Sequence, residues 1–306
     1  MIRPTIRQLE YIVTVADVGR IGAAAAKLHV SQPSLSAQLA EVEADLGVAL
    51  FHRDRRGATP TEEGREIVRR ARLILRDMAD LRAAASGGGA FEGRLRLGVL
   101  PSISPYLLPN VVKRLHSDYQ DLRLVVREES TRDLDEGLRS GRLDMIISTP
   151  EDHASGLATP LFKEHLWAAL ALDDPLAKSS APIGLEKLAN RTFLTLGPQH
   201  RLSHIVAGLA GQVGGYLSDE YEGTSLDAIR AMAAAGVGVA LLPEIYTKTE
   251  AQRGTDVQLR RVKVDRAFRN IALIEPHRNT ASQKGTVLAQ LLSDEATKLL
   301  TQKLAG

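Results

Sequence analysis

Val30-Ser31-Gln32-Pro33-Ser34-Leu35-Ser36-Ala37-Gln38-Leu39, continuing to Leu46-Gly47, reads as one helix with both ends marked. Ser31 offers a hydroxyl to the free first-turn N–H groups, Pro33 stands where a missing N–H costs nothing, and Gly47 supplies a left-handed stop. Leu35, Leu39, Val42 and Leu46 step by four, three and four, a stripe that faces a core. The reading places Gln32, Ser34, Ser36 and Gln38 on the opposite side. That surface is short and uncharged. Hydroxyls and carboxamides both donate and accept, so they can match base edges in a major groove, whereas a charged face would hold phosphates alone. A solvated surface helix has the same composition, and the flanks decide between the two.

Upstream, Ile21 to Leu28 is a short alanine-rich helix separated from Ser31 by His29-Val30, which makes helix, tight turn, helix. Downstream, Ala49 to Arg53 and Gly57 to Thr59 can form a hairpin with Arg53, Arg55 and Arg56 at its tip, a wing able to grip the DNA backbone. Between Arg53 and Arg76 there are eight arginines against four acids. Arg53, Arg55 and Arg56 are read as phosphate contacts. Arg69, Arg70, Arg72 and Arg76 fit phosphate contact and a solvated helix face equally.

Ala24-Ala25-Ala26-Lys27-Leu28-His29-Val30-Ser31-Gln32-Pro33-Ser34-Leu35-Ser36, followed by Leu46-Gly47-Val48-Ala49-Leu50-Phe51-His52-Arg53 and Thr59-Pro60-Thr61-Glu62-Glu63-Gly64, resembles the winged helix-turn-helix signature of LysR-type transcriptional regulators. The resemblance implies double-stranded promoter DNA as a partner, with Ser31, Gln32, Pro33, Ser34, Ser36 and Gln38 toward the bases. Arg20-Ile21-Gly22 departs from it, because the family commonly opens the second helix with an aromatic and a hydroxyl residue.

The chain of 306 residues is long enough for two or three domains, each with its own core. With 44% hydrophobic and 25% charged residues it has a globular composition. Zero cysteines remove disulfides, thiolate nucleophiles and thiolate metal sites together, in keeping with a cytoplasmic protein. Arg3, Arg7, Glu10 and Asp17 interrupt the start, so no export signal is expected. The longest apolar run, Ala231 to Leu242, falls short of the roughly 20 residues a membrane span needs, so no membrane partner is expected. A net charge of +2 argues against indiscriminate coating of nucleic acid.

Thr5 to Val18 reads as a first helix, capped by Thr5, with Ile6, Leu9, Val13 and Ala16 on one face. Thr61 to Ala85 reads as a long helix in which Ile67, Ala71, Ile74, Met78, Leu81 and Ala85 form a heptad seam, read as the contact with a second copy. Packing on its own chain is the alternative. Ser86-Gly87-Gly88-Gly89-Ala90 breaks the pattern as a hinge. From Gly93 the period becomes two at Leu95, Leu97 and Val99 and again at Leu122, Leu124 and Val126, with helices Pro105 to Tyr119 and Asp133 to Ser140 and a buried strand at Met145 to Ile147. This order predicts an α/β parallel sheet. A second set starts near Phe162, and Ile271 to Ile274 with Ser282 to Leu304 return to the first.

Gly236-Val237-Gly238 follows a helix where a dinucleotide fingerprint would open one, and so reads as a helix stop with close strand packing. Ala235-Gly236-Val237-Gly238-Val239-Ala240-Leu241-Leu242-Pro243 resembles the hallmark of the family's effector-binding domain, a two-lobed, periplasmic-binding-protein-like fold. The expected organisation is a winged helix-turn-helix over 1–60, a dimerising linker helix over 61–86, a hinge over 87–92 and an α/β effector-binding domain over 93–306. Within that domain, lobe I takes 93–161 and 269–306, and lobe II takes 162–268.

Ligands of open α/β sheets sit beyond the carboxyl ends of the strands, near helix N-termini. Leu100 to Pro105, Ser130-Thr131, Gln199-His200-Arg201 and Thr224-Ser225 occupy such places. Ser102, Ser104, Thr131, His200, Arg201 and Thr224 are therefore the candidate effector residues, although their hydroxyls also suit helix caps. Pro101 to Pro109, Ser140 to Asp144 and Thr224 to Arg230 look most like the peroxide-sensing OxyR branch of the family. Where that branch has its two redox cysteines, this chain has Arg201 and Ala210, which excludes a thiol sensor. A guanidinium there suits a carboxylate or phosphate, so a small anionic effector held by Arg201, Ser102 and Thr131 is expected. The competing expectation is an Arg201 salt bridge to a nearby acid.

His200 and His204 lack further ligands in sequence, and no metal or other cofactor is expected. No nucleophile elbow, metal triad or phosphate loop points to an enzyme, and no catalytic residue is assigned. The reading is a homo-oligomeric regulator, a dimer through the linker helix and a tetramer beyond it, acting as activator or repressor. An oxidative-stress regulator working without thiols and a two-lobed small-molecule binding protein that ignores DNA remain open alternatives.

Overall fold

The computed structural model describes residues 4–54, 57–85, 93–120, 122–219, 225–276 and 280–301. Arg55, Arg56, Thr224, the 86–90 hinge and the Glu220-Tyr221-Glu222 stretch expected as a strand lie outside them. The chain separates into two compact units, the N-terminal residues to Gly93 together with Gly137–Leu143, and Arg94–Glu136 with the chain from Asp144 onward.

The first unit holds α1 (Ile6–Val18), α2 (Ile21–Leu28), α3 (Gln32–Leu46), the hairpin β1 (Phe51–Asp54) and β2 (Gly57–Pro60), and α4 (Glu62–Ala85). Thr5 and Gln8 close a capping box on α1, satisfying two first-turn donors reciprocally. Leu9, Tyr11, Ile12 and Val15 form the buried face of α1, while the expected Ile6, Val13 and Ala16 are only half-buried against its rim. Fully buried Leu35, Leu39 and Val42 carry α3 into the same core, each contributing about 1.5–3 kcal/mol. Gly57 has φ of +152° and a Cβ there would lie 2.3 Å from the Gly19 carbonyl oxygen, which accepts the Ala58 N–H at 2.8 Å. Only glycine lets the hairpin dock on the turn after α1.

On α4, Gly64, Val68, Ala71 and Arg72 are buried against the unit's core. Ala71 of the expected seam thus packs on its own chain. Ile74 and Leu81 stay 44% and 62% exposed, so an apolar edge of the helix is left over.

The second unit contains, in chain order, β3 (Gly93–Val99), α5 (Ser104–Asp118), β4 (Leu122–Glu128), α6 (Thr131–Arg139) and β5 (Met145–Ser148). There follow β6 (Gly156–Ala171), β7 (Ile183–Gly184), β8 (Thr192–Leu194), α7 (Arg201–Gln212), β9 (Tyr216–Leu217) and α8 (Leu226–Ala234). The remainder is β10 (Val239–Pro243), α9 (Glu244–Thr249), β11 (Val257–Lys263), β12 (Phe268–Pro276) and α10 (Gln283–Thr301).

Strand order is β4-β3-β5-β12-β6-β10-β8-β9, with β11 on β6 and β7 on β11. β6 is one long strand that serves two lobes. Its residues up to His165 pair antiparallel with β12, and from Leu166 onward it pairs with β10 and β11. The crossover therefore falls at His165/Leu166, past the expected 161, and what was expected as a new strand near Phe162 is the middle of β6. The sheet is mixed and not parallel throughout: β3–β5 and β8–β10 are parallel, while β12 runs antiparallel to both β5 and β6. A chain that crosses between lobes and returns has to reverse direction there. Gly236 (φ +78°) stops the chain after α8, and a Cβ on Gly238 would lie 2.8 Å from the Thr192 carbonyl oxygen, the helix stop and close strand approach read from the sequence. Among the described residues no helix is long and apolar enough to cross a membrane.

Candidate nucleic-acid interface and effector cleft

Ser31 accepts the Ser34 N–H on its Oγ at 3.3 Å as the N-cap of α3, which leaves its O–H to donate outward. Ser31, Gln32, Pro33 and Ser34 are all exposed, so the first turn of α3 is open on every side but one. At 100° per residue, however, positions 32, 34, 36 and 38 cannot share a face. Gln32 and Ser36 flank the buried stripe on one side, Ser34 and Gln38 on the other, and exposed Pro33, Ala37 and Ala40 stand opposite the stripe. The surface is therefore apolar along its midline and polar at its edges. Sequence reading missed the alanines, whose methyls suit contact with a thymine methyl.

The edges differ in freedom. The Gln38 carboxamide accepts from Gln8 at 3.2 Å and donates to Glu41 at 3.2 Å, which ties it to α1 and its own helix. Gln32 is exposed, and its Oε1 lies 3.1 Å from where a Cβ of Gly22 would stand. The departure at Gly22 thus leaves room for that carboxamide. Arg53, expected on phosphate, donates to Glu43 at 2.6 Å. The same carboxylate accepts the Leu50 and Phe51 N–H groups at 2.8 and 3.3 Å, so Glu43 fixes the wing to α3 and holds Arg53 with it. On α4, Arg69 and Arg70 both clasp Glu66, whose carboxyl they pull down to about 2, and Arg72 clasps Asp17.

In the second unit strands β6 and β12 carry a buried charge pair that sequence reading missed. Arg269 of β12 faces Glu164 of β6 in register, Nε to Oε1 at 2.6 Å, with Glu164 fully buried and Arg269 3% exposed. Arg269 also donates to Ser102 Oγ at 2.8 Å, and Glu164 accepts the Ile245 N–H at 2.9 Å. Ser102 and Ser104, in the turn after β3 and at the start of α5, are both buried. His200, the N-cap residue of α7, is buried, and desolvation together with the Arg269 charge pushes its pKa down. Its neutral form is favoured. The buried Oγ1 atoms of Thr131, first residue of α6, and Thr195, just past β8, have no hydrogen-bond partner among the described residues. Such orphaned groups are costly unless a ligand or water satisfies them.

Arg201 does not stand free. Its Nη1 donates to Asp152 at 3.0 Å, the salt bridge that competed with ligand binding in the sequence reading. His204 bonds the Pro198 carbonyl at 2.9 Å. One further group has the connectivity of a catalytic triad: His153 bonds Asp135 through Nδ1 at 3.1 Å and Ser148 Oγ through Nε2 at 2.9 Å. Ser148 is fully buried, so no substrate carbonyl can reach it, and the chain of bonds braces the turn between β5 and β6 instead.

Two family models match the chain: "Bacterial regulatory helix-turn-helix protein, lysR family" over residues 6–65 and "LysR substrate binding domain" over residues 88–297. The chain is 32% identical over 303 residues to the DNA-binding transcriptional dual regulator OxyR of Escherichia coli strain K12, covering 97% of this chain and 99% of that one. It is 35% identical over 250 residues to a hydrogen peroxide-inducible genes activator of Pectobacterium carotovorum, covering 81% and 82%. Among solved structures, a full-length OxyR of Pseudomonas aeruginosa with a cysteine-to-aspartate substitution matches with a TM-score of 0.79 at 29% identity, covering 99% of each chain.

Proposed function

The chain belongs to the LysR family of bacterial helix-turn-helix regulators, and on that premise we propose that it controls transcription by setting a first-turn surface of α3 into the major groove of promoter DNA. The observation that carries this reading is the exposed, uncharged turn Ser31-Gln32-Pro33-Ser34, held outward by the buried Leu35, Leu39 and Val42. Ser31, Gln32, Pro33, Ser34 and Ser36 contact base edges, and Gln38 positions the helix through Gln8. Arg53, Arg55 and Arg56 serve the wing, with Arg53 reaching phosphate only by leaving Glu43. Ile74 and Leu81 meet a second copy, and the dimers pair as tetramers. The protein acts in the cytoplasm by binding and not by catalysis, as an activator or repressor, its named relatives being a dual regulator and an activator. Selecting bound duplexes from a randomised pool tests the reading. A recurrent dyad-symmetric site supports it, and a pool that stays random contradicts it.

The effector is a small anion received among Ser102, Ser104, Thr131, His200 and Thr224, with Thr195 and Arg269 added from the geometry. Its support is the buried Arg269 guanidinium bonded to Ser102 and felt by His200, together with Thr131 and Thr195 hydroxyls that have no partner among the described residues. With no cysteine, the chain has no thiol to oxidise, so peroxide cannot act on it as it would on a thiol sensor. Calorimetric titration with small mono- and dicarboxylates is expected to give a saturable site that Ser102→Ala and Thr195→Val each weaken about tenfold. Equal affinity in both variants removes these residues from the site. A second reading, an oxidative-stress regulator that responds to peroxide without a thiol, rests on the names of the relatives. Promoter binding that changes on adding peroxide would favour it.

A further inference from the structure

We propose that Arg201 and Asp152 form an ion-pair latch that holds the two lobes of the second unit in one state of closure. Arg201 is the first residue of α7, in the lobe built on β8 and β10. Asp152 ends the 3-10 turn Pro150–Asp152 that follows β5, in the other lobe. The guanidinium donates across to the carboxylate at 3.0 Å.

Two features of the fold prepare this contact. The first is the helix end. A cation at the first position of a helix opposes the positive end of its dipole. The N-terminus of α7 has no acid in its first turn and no side-chain cap from His200. Asp152 supplies from the opposite lobe the negative charge that both Arg201 and the helix end lack. The second is the carboxylate's own support. Thr149 Oγ1 donates to Asp152 Oδ2 at 2.5 Å, and the turn is closed by the Asp152 and His153 N–H groups bonding Thr149 and Pro150 at 3.2 and 3.1 Å. Behind it, His153 is pinned between Ser148 and Asp135. The carboxylate is thus preorganised, so little side-chain entropy is lost when Arg201 arrives.

The pair is partly wet, with side chains 39% and 20% exposed. Its strength therefore suits a switch and not a permanent bond: breaking it is expected to change the ratio of closed to open lobes about fivefold. Arg201 stands where the resembled branch has a redox cysteine, so the chain carries a charge at this position in place of a thiol.

The absence of cysteine allows a direct test in the full-length chain. Spin labels at Ser117→Cys on α5 and Leu172→Cys beyond β6, both exposed, report the distance between the lobes by pulsed electron resonance. Asp152→Asn and Arg201→Gln are each expected to shift the population ratio about fivefold. The double variant should shift it no further than either single one, as coupled partners require. Unchanged distributions in the single variants, or effects that add in the double, would overturn the latch.

Discussion

Removing the Arg269 guanidinium would strand a carboxylate out of reach of water. Glu164 is fully buried and its partner 3% exposed, with 2.6 Å between them. In Arg269→Met, Glu164 keeps the Ile245 N–H at 2.9 Å but loses its counter-charge, and Ser102 Oγ loses a donor. Breaking one side of a buried pair costs about 3–5 kcal/mol, against about 0–1 kcal/mol for an exposed one. At about 1–3 kcal/mol per molar urea, the unfolding midpoint of the second unit should fall by roughly 1–5 M. Trp167, the chain's one tryptophan, lies on the same strand three residues from Glu164 and is buried, so its emission follows that transition. The double variant Glu164→Gln/Arg269→Met leaves no charge, and the glutamine carbonyl can still accept from Ile245. It is expected to recover to within about 1.5 kcal/mol of the parent. A single variant that loses less than about 1 kcal/mol, or a double variant no more stable than the single, would refute the reasoning.

Gln32→Ala should weaken binding to a selected operator by about tenfold to a hundredfold while leaving random-sequence binding unchanged, as read by competition gel shift. Ile74→Asp with Leu81→Asp places charge on the exposed edge of α4 and is expected to split the assembly into smaller species in sedimentation velocity; an unchanged boundary would count against that edge as the interface. His200 should titrate by NMR below the ordinary imidazole value of 6.5, because burial and Arg269 disfavour its cation. Its folded pKa is lowered, so the unfolded chain binds more protons in that window. The resulting stability is complete above 6.5 and lost as the pH falls below it, and a midpoint above 6.5 would contradict the burial argument.

What could be read from sequence follows from how local each signal is. Ser31, Gly47 and the Leu35-Leu39-Val42 stripe act within one helix, and their geometry is as the spacing implies. The polar surface differs from the sequence expectation for a physical reason: alternate positions on a helix lie 200° apart, so 32, 34, 36 and 38 fall on two sides. Pairings set by register were not legible. Glu164 sits among Lys163 and His165 and Arg269 beside Asn270, and nothing local says that β6 and β12 bring the two charges face to face. Lys163-Glu164-His165 likewise interrupts an apolar run and hides the continuity of β6, because a strand crossing between lobes buries polar pairs there. Arg201 stands out in sequence at the start of a helix, but its partner Asp152 lies 49 positions away, in a turn with no motif.

The most direct test of DNA binding as the chain's activity is the salt dependence of its affinity for a labelled duplex recovered by selection. Log K should fall linearly with log salt, with a slope steeper than about −3, since each phosphate neutralised adds about −0.9. No binding to any duplex at low ionic strength, or a slope near zero, would contradict the account.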